Sequence, residues 1–238
     1  MLKERLEQVR QRIAQACQRS RRDPSSVELV CVTKGASLEA IREAVRCGVT
    51  VIGENRVQEA NAKHAQLHSA YPTLQWHLVG HLQRNKAKEA VELFDVIHSV
   101  DSVALAEELE RQVAKGRRGI EVFIQVNVSG ESTKFGCAPD KALGLARAVL
   151  QLSHLRLRGL MTIPPFSDNL EEARPVFRKL RELRDELQQQ VFSQSLNHPI
   201  TQSLQLSMGM SHDFEVAIEE GADVVRIGTA IFKGQGAK

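Results

Sequence analysis

The stretch Val224-Val225-Arg226-Ile227-Gly228-Thr229 decides the fold. Its first four residues read as a short buried strand, because Val and Ile suit a pleated interior and no turn former interrupts them. Gly228-Thr229 ends it in a turn whose backbone N–H groups can approach an anion closely. Arg226 shares a strand face with Val224, which makes it inward if Ile227 packs on helices.

Runs of the same kind recur along the 238 residues. Strands are expected near Val27–Thr33, Val49–Gly53, Leu74–Gly80, Phe94–His98, Ile120–Val128, Leu155–Thr162, Ser203–Ser207 and Asp223–Ile227. Amphipathic stretches lie between them. Val176, Leu180, Leu183, Leu187 and Val191 recur at helical spacing, and Ala106, Leu109 and Val113 follow Ser102, a plausible N-cap. Leu2, Leu6, Val9 and Ile13 mark an extra N-terminal helix. Repeated βα units imply a parallel sheet, and eight of them point to closure as an α/β (β/α)8 TIM barrel. A doubly wound open sheet is the runner-up. Residues 1–238 are expected to form one domain, with Gln190–Gln202 as the nearest thing to a long loop.

Composition narrows the function classes. The chain is 42% hydrophobic and 26% charged with a formal net charge of +3, too weak to imply nucleic acid or a membrane surface. Arg19, Arg21 and Arg22 follow the first helix, where cations complement its dipole. Cys17, Cys31, Cys47 and Cys137 form no C-x-x-C pair and no cluster with histidine. No run approaches the ~20 apolar residues of a membrane span. A cytoplasmic, monomeric protein is expected.

In a barrel of this kind chemistry sits at the C-terminal ends of the strands. Reading just past each strand gives Lys34, Glu54-Asn55, Gly80-His81, Ser99, Ser129, Thr162-Ile163, Met208 and Gly228-Thr229. A lysine at a strand end is usually a solvated charge. Lys34, however, continues the alternation of Val30 and Val32, so its amine faces the mouth if those valines face inward. Barrels frequently hold a phosphate in the loops after strands seven and eight. There Ser207 and Thr229 offer hydroxyls, while Gly209 and Gly228 admit backbone amides. Ser211 reads as a helix N-cap, with Asp213 in the first turn. Arg226 needs an acidic partner or a ligand to explain its burial. Asn55, His77 and His81 are weaker signals, and two histidines do not make a metal site.

An amine and an anion cup on one rim would suit pyridoxal phosphate, and the chain resembles a family that binds it. The pieces are Val32-Thr33-Lys34, Gly53-Glu54-Asn55-Arg56-Val57-Gln58-Glu59, Trp76-His77-Leu78-Val79-Gly80-His81-Leu82-Gln83-Arg84-Asn85-Lys86 and His98-Ser99-Val100-Asp101. They continue with Lys134-Phe135-Gly136, Gly159-Leu160-Met161-Thr162-Ile163, Ser207-Met208-Gly209-Met210-Ser211 and Arg226-Ile227-Gly228-Thr229-Ala230-Ile231-Phe232. In order across nearly the whole chain, they resemble the YggS-like pyridoxal phosphate (PLP) homeostasis proteins, which share the alanine racemase N-terminal barrel (fold type III). The resemblance implies Lys34 as the Schiff-base lysine, and Ser207, Gly228 and Thr229 around the phosphate. It also implies Arg226 facing the pyridine nitrogen, Asn55 and His81 lining the ring, and Met208 nearby. Gly35 and Phe232-Lys233-Gly234 depart from the pattern; Gly35 is expected to loosen packing beside the lysine.

The cofactor supplies an electron sink that the protein can use or leave unused. A guanidinium at the ring nitrogen, with a pKa above 12, does not readily give up a proton there. A racemase of this fold resembles a two-domain enzyme with an opposing tyrosine, whereas Tyr71, the only tyrosine, precedes Pro72 in a helix-to-strand connection. The expectation is a non-enzymatic protein of vitamin B6 homeostasis and amino-acid/keto-acid balance, with PLP-dependent apoenzymes as hypothetical partners. The alternatives are a racemase or lyase using the cofactor, and a sugar-phosphate enzyme without one.

Overall fold

The computed structural model describes residues 1–116, 119–194 and 203–234. Within them eight parallel strands close in sequence order: β1 (Glu28–Val32), β2 (Val51–Glu54), β3 (Gln75–Leu78), β4 (Val96–Val100), β5 (Ile120–Gln125), β6 (Leu155–Met161), β7 (Gln205–Met210) and β8 (Val224–Ile227). Helices α2 (Leu38–Arg46), α3 (Val57–Leu67), α4 (Ala87–Leu93), α5 (Val103–Val113), α6 (Pro139–Leu150), α7 (Arg174–Gln194) and α8 (Phe214–Glu219) fill the crossovers. The short α9 (Thr229–Phe232) follows β8, and α1 (Leu2–Arg19) precedes the barrel. Closure is direct, with Cys31 of β1 in register with Ile227 of β8. This is the (β/α)8 barrel that the repeated units predict.

Strand alternation sorts the core into two layers. Val30, Val32, Val51, Val96, Phe123, Met161 and Val224 pack together inside the barrel. Their neighbours Cys31, Ile52, Ile97, Ile124, Leu160, Val225 and Ile227 pack against the helices. Both conditions set by the sequence are therefore met: Val30 and Val32 face inward, and Ile227 faces the helices. The predicted helical stripes are equally plain, with Leu2, Leu6, Val9 and Ile13 buried beneath α1. Ser102 caps α5 by accepting the Leu105 N–H, and Ala106, Leu109 and Val113 are buried. Along α7 Leu180 and Leu187 are buried, each burial contributing about 1.5–3 kcal/mol. The side chain of Val191 lies outside the described residues.

Some boundaries differ. Phe94 ends α4, its N–H bonding Ala90 O at 2.9 Å, so β4 begins at Val96 and runs on to include Ser99. β5 stops at Gln125, after which Val126 makes only an isolated bridge to Cys137. Helix α7 continues through Gln194, so Gln190 is helical; the rest of the expected loop, 195–202, lies outside the described residues. In β7 the register slips, with Ser207 opposite Val224 but Met210 opposite Arg226. That irregularity spends three steps of β7 against two of β8 and re-aims the side chains at the rim.

Candidate functional site at the barrel mouth

Lys34 sits in a turn just beyond β1, closed by the Ala36 N–H to Thr33 O bond (3.0 Å), with its side chain exposed. Gly35 takes φ +68°, which a turn of this kind asks of glycine. Nothing stands within 4 Å of where a Gly35 Cβ would lie, so the glycine forfeits no packing. The turn is instead anchored by polar contacts. The Gly35 N–H donates to Glu59 Oε1 at 2.6 Å, and Lys63 Nζ donates to Glu59 Oε1 (2.7 Å), Glu54 Oε1 (2.6 Å) and Thr33 O (2.6 Å). Burial pushes the Glu54 carboxyl up, opposed by the Lys63 hydrogen bond. Glu54, expected on the polar rim, faces α3 as part of this buried scaffold.

The anion cup lies next to it. The backbone N–H groups of Gly228 and Ala230 both donate to Ser211 Oγ at 3.2 Å, so two donors converge on one oxygen. Ser211 is therefore not the cap of α8. That position belongs to Asp213, whose carboxylate accepts the Met210 N–H at 2.7 Å. A Cβ on Gly228 would stand 2.9 Å from Val32 O and 3.2 Å from Val32 Cβ. The cup is thus packed on the residue two before Lys34, and Thr229 is exposed at its edge.

Ser207, which the resemblance sets beside the phosphate, lies inside the barrel at the level of Arg226. It is wholly buried, accepts from Arg226 Nη1 at 2.6 Å, and lies 2.8 Å from His98 Nδ1. Arg226 lies inside the barrel below the cup, its Nη2 donating to Thr162 O at 2.9 Å. Among the described residues its hydrogen-bond partners are neutral and no carboxylate pairs with it. Burial lowers its pKa to about 10, with Asp213 acting the other way, so it stays charged at neutral pH. Met208 joins the layer between strands and helices, so its side chain does not face the mouth.

Asn55 and His81 meet at the neighbouring strand tips. A Cβ on Gly80 would lie 2.2 Å from Asn55 O, so only glycine lets these two loops touch. A cleft of about 470 Å³ opens there, lined by Asn55, Arg56, His81, Lys86 and Phe135 among others. Phe135 is a residue that the reading of strand ends missed. It stacks on His81 with ring centroids 3.8 Å apart, and Gln125 Nε2 holds its carbonyl at 3.1 Å. The Lys134-Phe135-Gly136 motif was the available signal, since Gly136 packs against the backbone of Asn127. Tyr71 precedes β3, at the end of the barrel where strands begin. No group of metal-ligating side chains and no helix long and apolar enough to cross a membrane occurs among the described residues.

The rim thus offers an exposed amine and two backbone N–H groups converging on the Ser211 hydroxyl oxygen, with a buried guanidinium below them. Fold and rim together define the class of barrel described as alanine racemase, N-terminal domain, whose family model matches residues 5–236. Narrower relatives are also found. The chain is 47% identical over 229 residues to the pyridoxal phosphate homeostasis protein of Aquifex aeolicus (strain VF5), spanning 96% of each. It is 43% identical to that of Pseudomonas aeruginosa, spanning 96% of this chain and 94% of the other. It superposes with TM-score 0.82 on PipY of Synechococcus elongatus solved with PLP bound, at 39% identity over 98% of this chain and 100% of that one. The chain belongs to the family of pyridoxal phosphate homeostasis proteins.

Proposed function

We propose that this protein holds pyridoxal 5'-phosphate at the barrel mouth and serves vitamin B6 homeostasis rather than a dedicated reaction. The observation that carries the reading is the contact of Gly228 with Val32, which sets the anion cup beside the lysine turn. The Lys34 amine would condense with the aldehyde carbon, releasing water. The Gly228 and Ala230 N–H groups, with the Ser211 and Thr229 hydroxyls, would hold the phosphate, and Arg226 would face the ring nitrogen. Asn55, His81 and Phe135 would border it on the side of β2 and β3. When bound, the group supplies an electron sink.

The position of Tyr71 supports the non-enzymatic part, because the sole tyrosine is at the wrong end to act as an opposing base. The names of the relatives point the same way, as homeostasis proteins. An open rim that exposes Lys34 would also let the cofactor pass to PLP-dependent apoenzymes. Two measurements test the reading. Titration with PLP should give a visible absorption band that Lys34→Ala lacks. Incubation of the loaded protein with L- and D-amino acids in deuterated water should leave the Cα hydrogen in place; rapid exchange would establish a racemase or lyase instead.

A further inference from the structure

A file of hydrogen bonds runs down the barrel interior beneath the mouth. Arg226 Nη1 donates to Ser207 Oγ (2.6 Å), Ser207 Oγ lies 2.8 Å from His98 Nδ1, and His98 Nε2 lies 3.0 Å from His77 Nδ1. All four residues are buried beside the inward Val96, Phe123 and Met161, and two charged groups stand near: Glu28 Oε1 lies 3.9 Å from His77 Nδ1, and Arg158, paired with Glu28, sits over the Phe123 ring. His98 also stacks on Phe123 at 4.5 Å.

The protons in this file can be assigned. A guanidinium only donates, so Ser207 accepts from Arg226. Burial keeps both imidazoles neutral: His77 is lowered to about 3 with help from Arg158, and His98 lies well below its ordinary value with help from His77, Arg226 and Arg158. A neutral imidazole has one donor and one acceptor. If His98 Nδ1 accepts the Ser207 hydrogen, Nε2–H donates to His77 Nδ1, and only His77 Nε2 is left without a partner. His77 Nε2 is indeed a buried atom with none. In the reverse order Ser207 would accept twice and its own hydrogen would also be stranded. The first arrangement strands fewer groups, and each stranded group costs about 1–3 kcal/mol.

We propose that His98, steadied by His77, is a positioning residue for the mouth: by taking the Ser207 hydrogen it leaves Ser207 only lone pairs to offer, and so fixes Arg226 below the cofactor. The sequence reading gave these histidines no role beyond structure. What Arg226 meets rests on the proposed PLP site; the proton order does not.

The test has two arms. In the full chain labelled with 15N-histidine and without added cofactor, long-range proton–nitrogen correlation should show His98 neutral from pH 5.5 to 8, protonated on Nε2 and bare on Nδ1. The bare nitrogen's signal should move in Ser207→Ala. An imidazolium, or a proton on Nδ1, overturns the proposal. In the second arm His98→Phe keeps the stack on Phe123 but breaks both hydrogen bonds. After PLP loading and borohydride reduction, Lys34 should still carry the adduct, whereas unreduced protein should show a shifted visible maximum and about tenfold weaker binding. His98→Asn, whose amide oxygen can accept the Ser207 hydrogen, should move both back toward the parent values. An unchanged spectrum and affinity in His98→Phe overturns the proposal; if that chain does not fold, Ser207→Ala is read the same way. A parent chain that takes no adduct at Lys34 sinks the cofactor reading instead, and the imidazole measurement still decides the relay.

Discussion

Gly228 at the end of β8 stands against Val32 at the end of β1, with 2.9 Å between its would-be Cβ and the Val32 carbonyl oxygen. The contact joins the ends of the first and last strands at one rim. Because the obstacle is backbone, a methyl group there must push the strands apart. Gly228→Ala should therefore cost about 1–3 kcal/mol in denaturant unfolding and weaken PLP binding in spectrophotometric titration.

The cup predicts a contrast between two serines. Ser211→Ala removes the oxygen on which two N–H groups converge, so PLP should bind about tenfold more weakly with little change in its spectrum. Ser207→Ala acts through Arg226, so its spectrum should shift. Titrations followed by full absorption spectra separate the two.

Lys63→Met would leave Glu54 buried without its cation and should destabilise the fold by about 3–5 kcal/mol at neutral pH. The pH dependence has a definite sign. The Glu54 carboxyl is raised above its ordinary 4.5 by burial, and loss of Lys63 removes the main opposing influence. A raised carboxyl contributes stability in full below the unfolded value and loses it as pH climbs through the folded value. The stability gap between variant and parent should thus be smallest below about pH 4.5 and widen above it, as read by urea unfolding across pH.

Arg226 carries a charge in the interior with neutral partners. Burial lowers its pKa to about 10 and so works against the charged form. The hydrogen bonds to Ser207 and Thr162, each worth about 1.5–3 kcal/mol from a charged donor, offset that cost. Arg226→Met should accordingly fold with stability within about 1–2 kcal/mol of the parent while binding PLP poorly, which thermal unfolding and titration would record together.

The barrel was legible because alternation is local: Val30, Val32 and Val224 announce the inner face, and Cys31 and Ile227 the outer. The same alternation correctly turned Arg226 inward. Legibility failed where alternation was overridden by a family pattern or where partners are distant. Alternation from Leu206 already turns Met208 toward the helices, against what the resemblance implies for it, and Ser207 meets Arg226 only once the barrel closes. Ser211 looks like a helix cap from its neighbours, and only folding brings it to Gly228. Lys63 resembles any helix-surface lysine until Glu54 turns out to face it.

The central claim is that Lys34 is the attachment point for the cofactor. Intact mass after PLP loading and borohydride reduction tests it most directly. The account predicts one pyridoxyl adduct on the parent chain, mapped to Lys34, and none on Lys34→Ala. An adduct of equal yield on Lys34→Ala, or no adduct on the parent, would contradict it.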